Sequence, residues 1–225
     1  MIKPLIYFFL AFALLSCGET GYRFEEPQPA SRPNLQQIPK RLTGNYLRSD
    51  STAQLYIDRT QIIEWQETST VLHIDTFHSV FEIDSTKIST SAPDTLKISE
   101  GGFSLNFKSV AQDSIWMAFS YYDTLFSISD HNLLKRFKGR YFLNYARASS
   151  DTWRVRCLTL KSKTLTFEDI EIPEDITALT EITEIKEIRT PEGRLKGYQL
   201  EPTRKELKQL MKLGLTKADE YTRLD

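Results

Sequence analysis

The sequence predicts a mainly β protein built as two tandem antiparallel β-rich modules, residues 40–132 and 133–225. The second is read as α+β, with one amphipathic helix near residues 203–213. Three observations carry this reading. Short β-branched and aromatic runs recur between polar clusters, the pattern of half-buried strands. Asp followed by Ser or Thr occurs at Asp50, Asp75, Asp84, Asp94, Asp113, Asp123 and Asp151, and an Asp side chain closes a turn by accepting from backbone amides two residues on. Finally, residues 40–46 (Lys-Arg-Leu-Thr-Gly-Asn-Tyr) recur at 135–141 (Lys-Arg-Phe-Lys-Gly-Arg-Tyr), sharing Lys, Arg, Gly and Tyr. The spacing Leu55, Ile57, Ile62 then parallels Leu158, Leu160, Leu165, eight residues later in the second copy. That shift predicts a longer hairpin loop around residues 148–151, with the module boundary near residues 129–132.

Before the modules, 13 of the first 16 residues are apolar. One positive charge (Lys3), an uncharged run from Leu5 to Leu15 and small Ser16 have the anatomy of a secretory signal. Eleven residues are too few for the roughly 20 that a membrane-crossing helix needs. Leu14-Leu15-Ser16-Cys17 resembles the lipobox of bacterial lipoproteins. The resemblance implies cleavage after Ser16 and a diacylglycerol on the Cys17 sulfur, with a further acyl chain such as palmitate on the new amino group. Two or more chains hold a protein stably on a membrane, each buried methylene contributing about 0.8 kcal/mol. Gly18 stands where Asp would favour the inner membrane in the familiar sorting rule, so the outer membrane is the expected location. Residues 17–39 hold Pro27, Pro29, Pro33 and Pro39 and little apolar periodicity. They read as the lipidated Cys and a semi-extended tether with a reach of at most roughly 70 Å.

In the first module, residues 55–57, 62–65, 71–74, 80–83, 103–107 and 115–119 read as strands. Asp94, Asp113, Asp123 and Asp151 read as strand launch points. In the second module, residues 141–145, 153–160 and 164–170 read as strands. Pro173-Glu174-Asp175 opens a short helix, and residues 190–193 turn between strands 183–189 and 195–200. Thr203 and Glu206 match a capping box ahead of Leu207, Leu210 and Met211, with Gly214 as the stop. The exposed face of that helix carries Arg204, Lys205, Lys208 and Lys212. This stripe would suit lipid headgroups or an acidic partner, although a solvated face is the commoner meaning.

For the chemistry, 29 Lys and Arg against 30 Asp and Glu give a net charge of −1, which argues against electrostatic nucleic-acid binding. With Cys17 lipidated, Cys157 has no internal partner and reads as a buried structural thiol. His73, His78 and His131 offer no zinc-ligand spacing. No GxSxG, GxxxxGK[ST], GxGxxG or HExxH is present. No catalytic residue, metal ligand or cofactor is therefore assigned, and Cys17 is the one site residue. Gly44-Asn45-Tyr46 is similar to the opening strand of lipocalin-type barrels, which implies an interior for small apolar ligands. The expectation is a lipid-anchored envelope protein with a non-catalytic binding or assembly role, held to the membrane and meeting an envelope protein partner. The alternatives are a β-barrel carrier of an apolar ligand, or a hydrolase of envelope glycans or lipids whose two carboxylates meet only in the fold.

Overall fold

A computed structural model describes residues 21–81, 94–98, 103–147, 150–170, 176–213 and 216–224. The chain is mainly β. Its strands are β1 (Gly21–Phe24), β2 (Gly44–Arg48), β3 (Ala53–Ile57), β4 (Gln61–His73), β5 (Asp94–Ile98), β6 (Phe103–Ala111), β7 (Ser114–Ser127), β8 (Asn132–Phe137), β9 (Arg140–Arg147), β10 (Ser150–Lys161), β11 (Thr164–Ile170), β12 (Ile185–Arg189), β13 (Leu195–Leu200) and β14 (Thr216–Arg223). Three α-helices, α1 (Ile74–Val80), α2 (Thr177–Thr180) and α3 (Arg204–Leu210), and a 3-10 turn at Lys40–Leu42 complete the described elements. The signal sequence, Cys17, Asp84, Pro173-Glu174-Asp175 and Gly214 lie outside the described residues.

Two compact units divide the chain, and they interleave in sequence. Unit 1 takes described residues from 21–35, 130–159 and 167–218, and unit 2 takes them from 36–129, 160–166 and 219–225. The expected boundary near residues 129–132 falls where the chain passes into the long middle piece of unit 1. The expected tandem arrangement gives way at both ends, because each unit recruits pieces distant in sequence.

In unit 1 the strands run in the order β12-β13-β1-β10-β9-β8. β1 lies parallel to β13, with Tyr22 opposite Tyr198 and Phe24 opposite Leu200, and pairs antiparallel with β10. Tyr22 and Phe24 join Phe142, Val155, Cys157, Leu179, Leu200, Leu207 and Leu210 in one apolar core.

For the described residues 21–39, this placement corrects the tether expected over residues 17–39. Prolines 27 and 29 lack N–H donors and end the β1 ladder, but their carbonyls still need partners. Buried Lys135 supplies them, its ammonium donating to Pro27 O at 2.8 Å and to Pro29 O at 3.3 Å. Asn144 grips the residue between: its Nδ2 donates to Gln28 O at 2.8 Å and its Oδ1 accepts from Gln28 N at 2.5 Å. Proline-rich sequence here is a fastened segment rather than a spacer.

Unit 2 is an antiparallel sheet in which residues 221–223 of β14 pair with β2 and the order continues β3-β4-β7-β6-β5, so that β7 and not β5 lies beside β4. β4 and β7 each merge two of the expected short strands into one long one, and Asp123 lies inside β7 rather than launching a strand. Asp50 closes the β2–β3 turn as expected, accepting from Thr52 N at 2.9 Å. Asp58 does the same before β4, accepting from Thr60 N at 2.7 Å. Residues 74–80 form helix α1 where the sequence read strand ends. His73 Nδ1 accepts from Asp75 N at 3.3 Å at its start, and fully buried Phe77 packs on Leu105, Phe107 and Ile115. The gain from burying Phe77 overrides the local β propensity of Ile74, Thr76 and Val80.

The sequence repeat corresponds to a repeated register. Tyr46 pairs with Leu55 across β2–β3, and Tyr141 pairs with Leu158 across β9–β10. All four side chains are buried. The eight extra residues of the second copy do not form a longer loop. β9 ends at Arg147 and β10 begins at Ser150, so the added length lies in the strands themselves.

Candidate functional site: a cation-lined cleft in unit 1

The chain leaves β13 at Leu200 and turns through Glu201-Pro202 into α3. Thr203 caps the helix reciprocally, its hydroxyl accepting from Glu206 N at 3.3 Å while Glu206 Oε2 accepts from Thr203 N at 2.8 Å. Leu207 and Leu210 face the core. At helical spacing, that burial leaves Arg204, Lys205 and Lys208 exposed. Two other segments complete a concavity of about 750 Å³: the fastened stretch with Glu26, Gln28, Ala30, Ser31 and Arg32, and Phe137-Lys138 at the β8–β9 turn. The Arg32 guanidinium carbon lies 5.6 Å from the centre of the Phe137 ring, an attractive cation–π arrangement that holds the Arg at the cleft.

The electrostatic character follows from the lining. Arg32, Lys138, Arg204, Lys205 and Lys208 stand against two carboxylates, Glu26 and Glu201, a formal excess of three positive charges. Glu201 also lies 3.8 Å from Lys186 Nζ, a cation outside the cleft, and Glu206 is committed to the helix cap. Among the described residues none of the five cations enters an ion pair. Like charges converging in one depression repel, and an anion bound among them relieves that repulsion. Arg offers a planar donor fork and Lys a compact point charge, the combination suited to phosphate or carboxylate oxygens.

Three of the four residues in the sequence-derived basic stripe therefore line the cleft. Lys212 belongs to the same stripe but not to the lining. Arg32 and Lys138 carried no functional reading in the sequence. A local clue to Lys138 exists in the Lys-Gly turn of the second repeat copy, but none marks Arg32. Cys157 is buried in the unit 1 core, where desolvation pushes its thiol up to about 12. His73 serves α1, with its Nδ1 3.4 Å from Asp75 Oδ2. Among the described residues no three His, Cys, Asp or Glu side chains converge to hold a metal.

Unit 2 carries a second polar cluster, also unmarked in the sequence. Buried Glu64 accepts from Tyr221 OH at 2.6 Å and from Gln66 Nε2 at 2.8 Å. Arg48 Nη1 lies 3.7 Å from Glu64, and Arg48 Nη2 binds Asp219 at 2.8 Å. Burial, then the Glu64 bond, raises the Tyr221 phenol and keeps it a donor. Every carboxylate oxygen of Glu64 is engaged, so the cluster braces β14, β2 and β4 instead of presenting a free reactive group.

Comparison of the chain with protein-family models, with curated proteins and with solved structures returns no match.

Proposed function

We propose that this chain is a lipid-anchored protein of the bacterial envelope, attached through Cys17, with a non-catalytic role in which unit 1 binds an anionic ligand. The observation that carries the binding role is the set of five cations around one depression, without an ion pair among the described residues. The lipobox-like Leu14-Leu15-Ser16-Cys17 and the charged, apolar start before it support the anchor. Gly18 supports the outer membrane. Three attached acyl chains would hold the protein stably, whereas one holds reversibly.

Two measurements test the reading. Labelled palmitate should enter the wild-type protein and not Cys17→Ala, and that variant should move from the membrane to the soluble fraction. Calorimetric titration of the mature chain with pyrophosphate or citrate should give salt-sensitive binding. Lys205→Ala combined with Lys208→Ala should weaken it about tenfold or more. Absent labelling refutes the anchor, and anion binding that is absent or indifferent to these substitutions refutes the cleft.

A further inference from the structure

We infer that the cleft docks the phosphate headgroups of the bilayer that carries Cys17, so that unit 1 lies on the membrane instead of standing off it. This inference rests on the lipoprotein reading above and identifies the ligand of the same cleft.

Chain length supplies the first half. A tether of the length expected from sequence would have let the body stand tens of ångströms away. Instead β1 begins at Gly21, hydrogen-bonded to both β13 and β10. Only residues 18–20 separate it from Cys17, and four residue steps reach at most about 14 Å. The first residue lining the cleft is Glu26, nine steps from Cys17 and so at most about 32 Å from it. The segment that would carry the lipid is thus the segment that forms one wall of the cleft. Asn144 and Lys135 hold that wall through Gln28, Pro27 and Pro29.

Charge supplies the second half. Lipid phosphates are closely spaced anions at an interface, and their field falls off within a Debye length of about 8 Å at physiological salt. A basic surface is attracted only if something else brings it that close. A short covalent link to the bilayer does so, raising the local concentration of headgroups at the cleft. The lining matches phosphate, with two arginines to fork onto oxygens and three lysines as point charges. Lys212, on the same helical stripe just beyond the cleft, extends the basic surface.

The test uses the mature chain, residues 17–225, made without lipid as Cys17→Ser, so that attachment and headgroup binding separate. It is sedimented with vesicles of phosphatidylcholine containing about 30% phosphatidylglycerol, and with phosphatidylcholine alone. Binding should favour the anionic vesicles by tenfold or more and fall as salt rises from about 0.05 to 0.3 M. Lys205→Glu with Lys208→Glu should lower it at least tenfold, since each charge near the surface is worth about fivefold. Lys161→Glu with Lys196→Glu, an equal charge change outside the cleft lining, should leave it within about twofold; circular dichroism verifies that both variants fold. Equal loss in the two pairs overturns the inference, because net charge alone would then explain the binding. Background vesicle binding by a chain that still binds pyrophosphate also overturns it, assigning the cleft to a soluble or protein-borne anion while the anion-binding reading stands. Failure of palmitate labelling in the wild type overturns the anchor, and with it the proximity on which the docking depends.

Discussion

Cys157 illustrates how burial decides the chemistry of a single residue. Val155-Arg156-Cys157-Leu158 alternates along β10, and the core side of that alternation places the thiol among Phe142, Leu179 and Leu207. Desolvation, with Glu168 adding to it, pushes the thiol up to about 12, against about 8.5 for an unfolded chain. Above about pH 8.5 the unfolded state therefore releases a proton that the native state keeps, and stability falls as pH rises until both states are ionised near 12. The loss from Cys157 is about 2 kcal/mol at pH 10. Urea unfolding at pH 8 and pH 10 should show a clear drop in midpoint, and Cys157→Ala should flatten that dependence whatever its cost at pH 8. Identical pH dependence in the two proteins would disprove the assignment. Native protein should also resist a thiol reagent that modifies it at once in urea. Asn144 makes the complementary case for a buried polar group. Its Nδ2 donates to Gln28 O, Leu133 O and Phe142 O at 2.8 to 3.1 Å, and its Oδ1 accepts from Gln28 N. Asn144→Ala strands several buried backbone groups at once and should cost about 2–4 kcal/mol, read from chemical denaturation. A loss below about 1 kcal/mol would mean that the grip on Gln28 is incidental.

Elements were legible where their signal is local. Leu55, Ile57 and Ile62 alternate toward one side and were readable as strands, and the Thr203 and Glu206 pair marked α3 because a capping box lies within one helical turn. β1 and β14 were not legible. Gly-Tyr-Arg-Phe is too short to show a period, and Thr-Lys-Ala-Asp-Glu-Tyr-Thr-Arg is mostly polar. Both become strands because a distant edge accepts their backbone, β13 for the first and β2 for the second. The cleft divides the same way: Arg204, Lys205 and Lys208 share a helical stripe, whereas Arg32 and Lys138 reach it only through tertiary structure. The repeated Gly-x-Tyr shows how far one local signal extends. Gly44 and Gly139 both have positive φ, +140° and +84°, and both precede a buried Tyr that pairs with a Leu. Upstream of the glycines the copies diverge, into a 3-10 turn at Lys40–Leu42 and into strand β8. Their surroundings also differ. A Cβ on Gly44 would lie 3.1 Å from Arg223 Nη2, whereas one on Gly139 meets nothing within 4 Å. That guanidinium is committed, donating to Thr43 O and Arg41 O with its centre 5.6 Å from the Tyr46 ring centre. Gly139→Ala should then cost about 1 kcal/mol of backbone strain and Gly44→Ala about 2–3 kcal/mol. Thermal or urea unfolding of the two variants decides, and equal losses would show that Arg223 yields freely.

At the scale of the molecule, the interleaving of the two units means that cutting the chain at residue 132 separates pieces that belong together. Fragment 133–225 lacks residues 21–35, which supply β1 to unit 1. Tyr22 and Phe24 would leave the core cluster, each worth about 1.5–3 kcal/mol of apolar burial. Asn144 would lose Gln28, and the Lys135 ammonium would lose the carbonyls of Pro27 and Pro29. A buried charge deprived of its acceptors is costly, so the total loss rivals the 5–15 kcal/mol that holds a typical domain together. The isolated fragment should therefore lack dispersed amide resonances and cooperative unfolding. A synthetic peptide of residues 21–39, added in excess, should restore both, because it returns the missing strand and the groups that Asn144 and Lys135 bind. The peptide with Phe24→Ala should restore less, since a parallel ladder of four positions without its fully buried aromatic anchor buries little. If fragment 133–225 folds cooperatively on its own and ignores the peptide, residues 21–39 are dispensable to unit 1. The body would then be free to stand away from the membrane on the very tether that its prolines suggest.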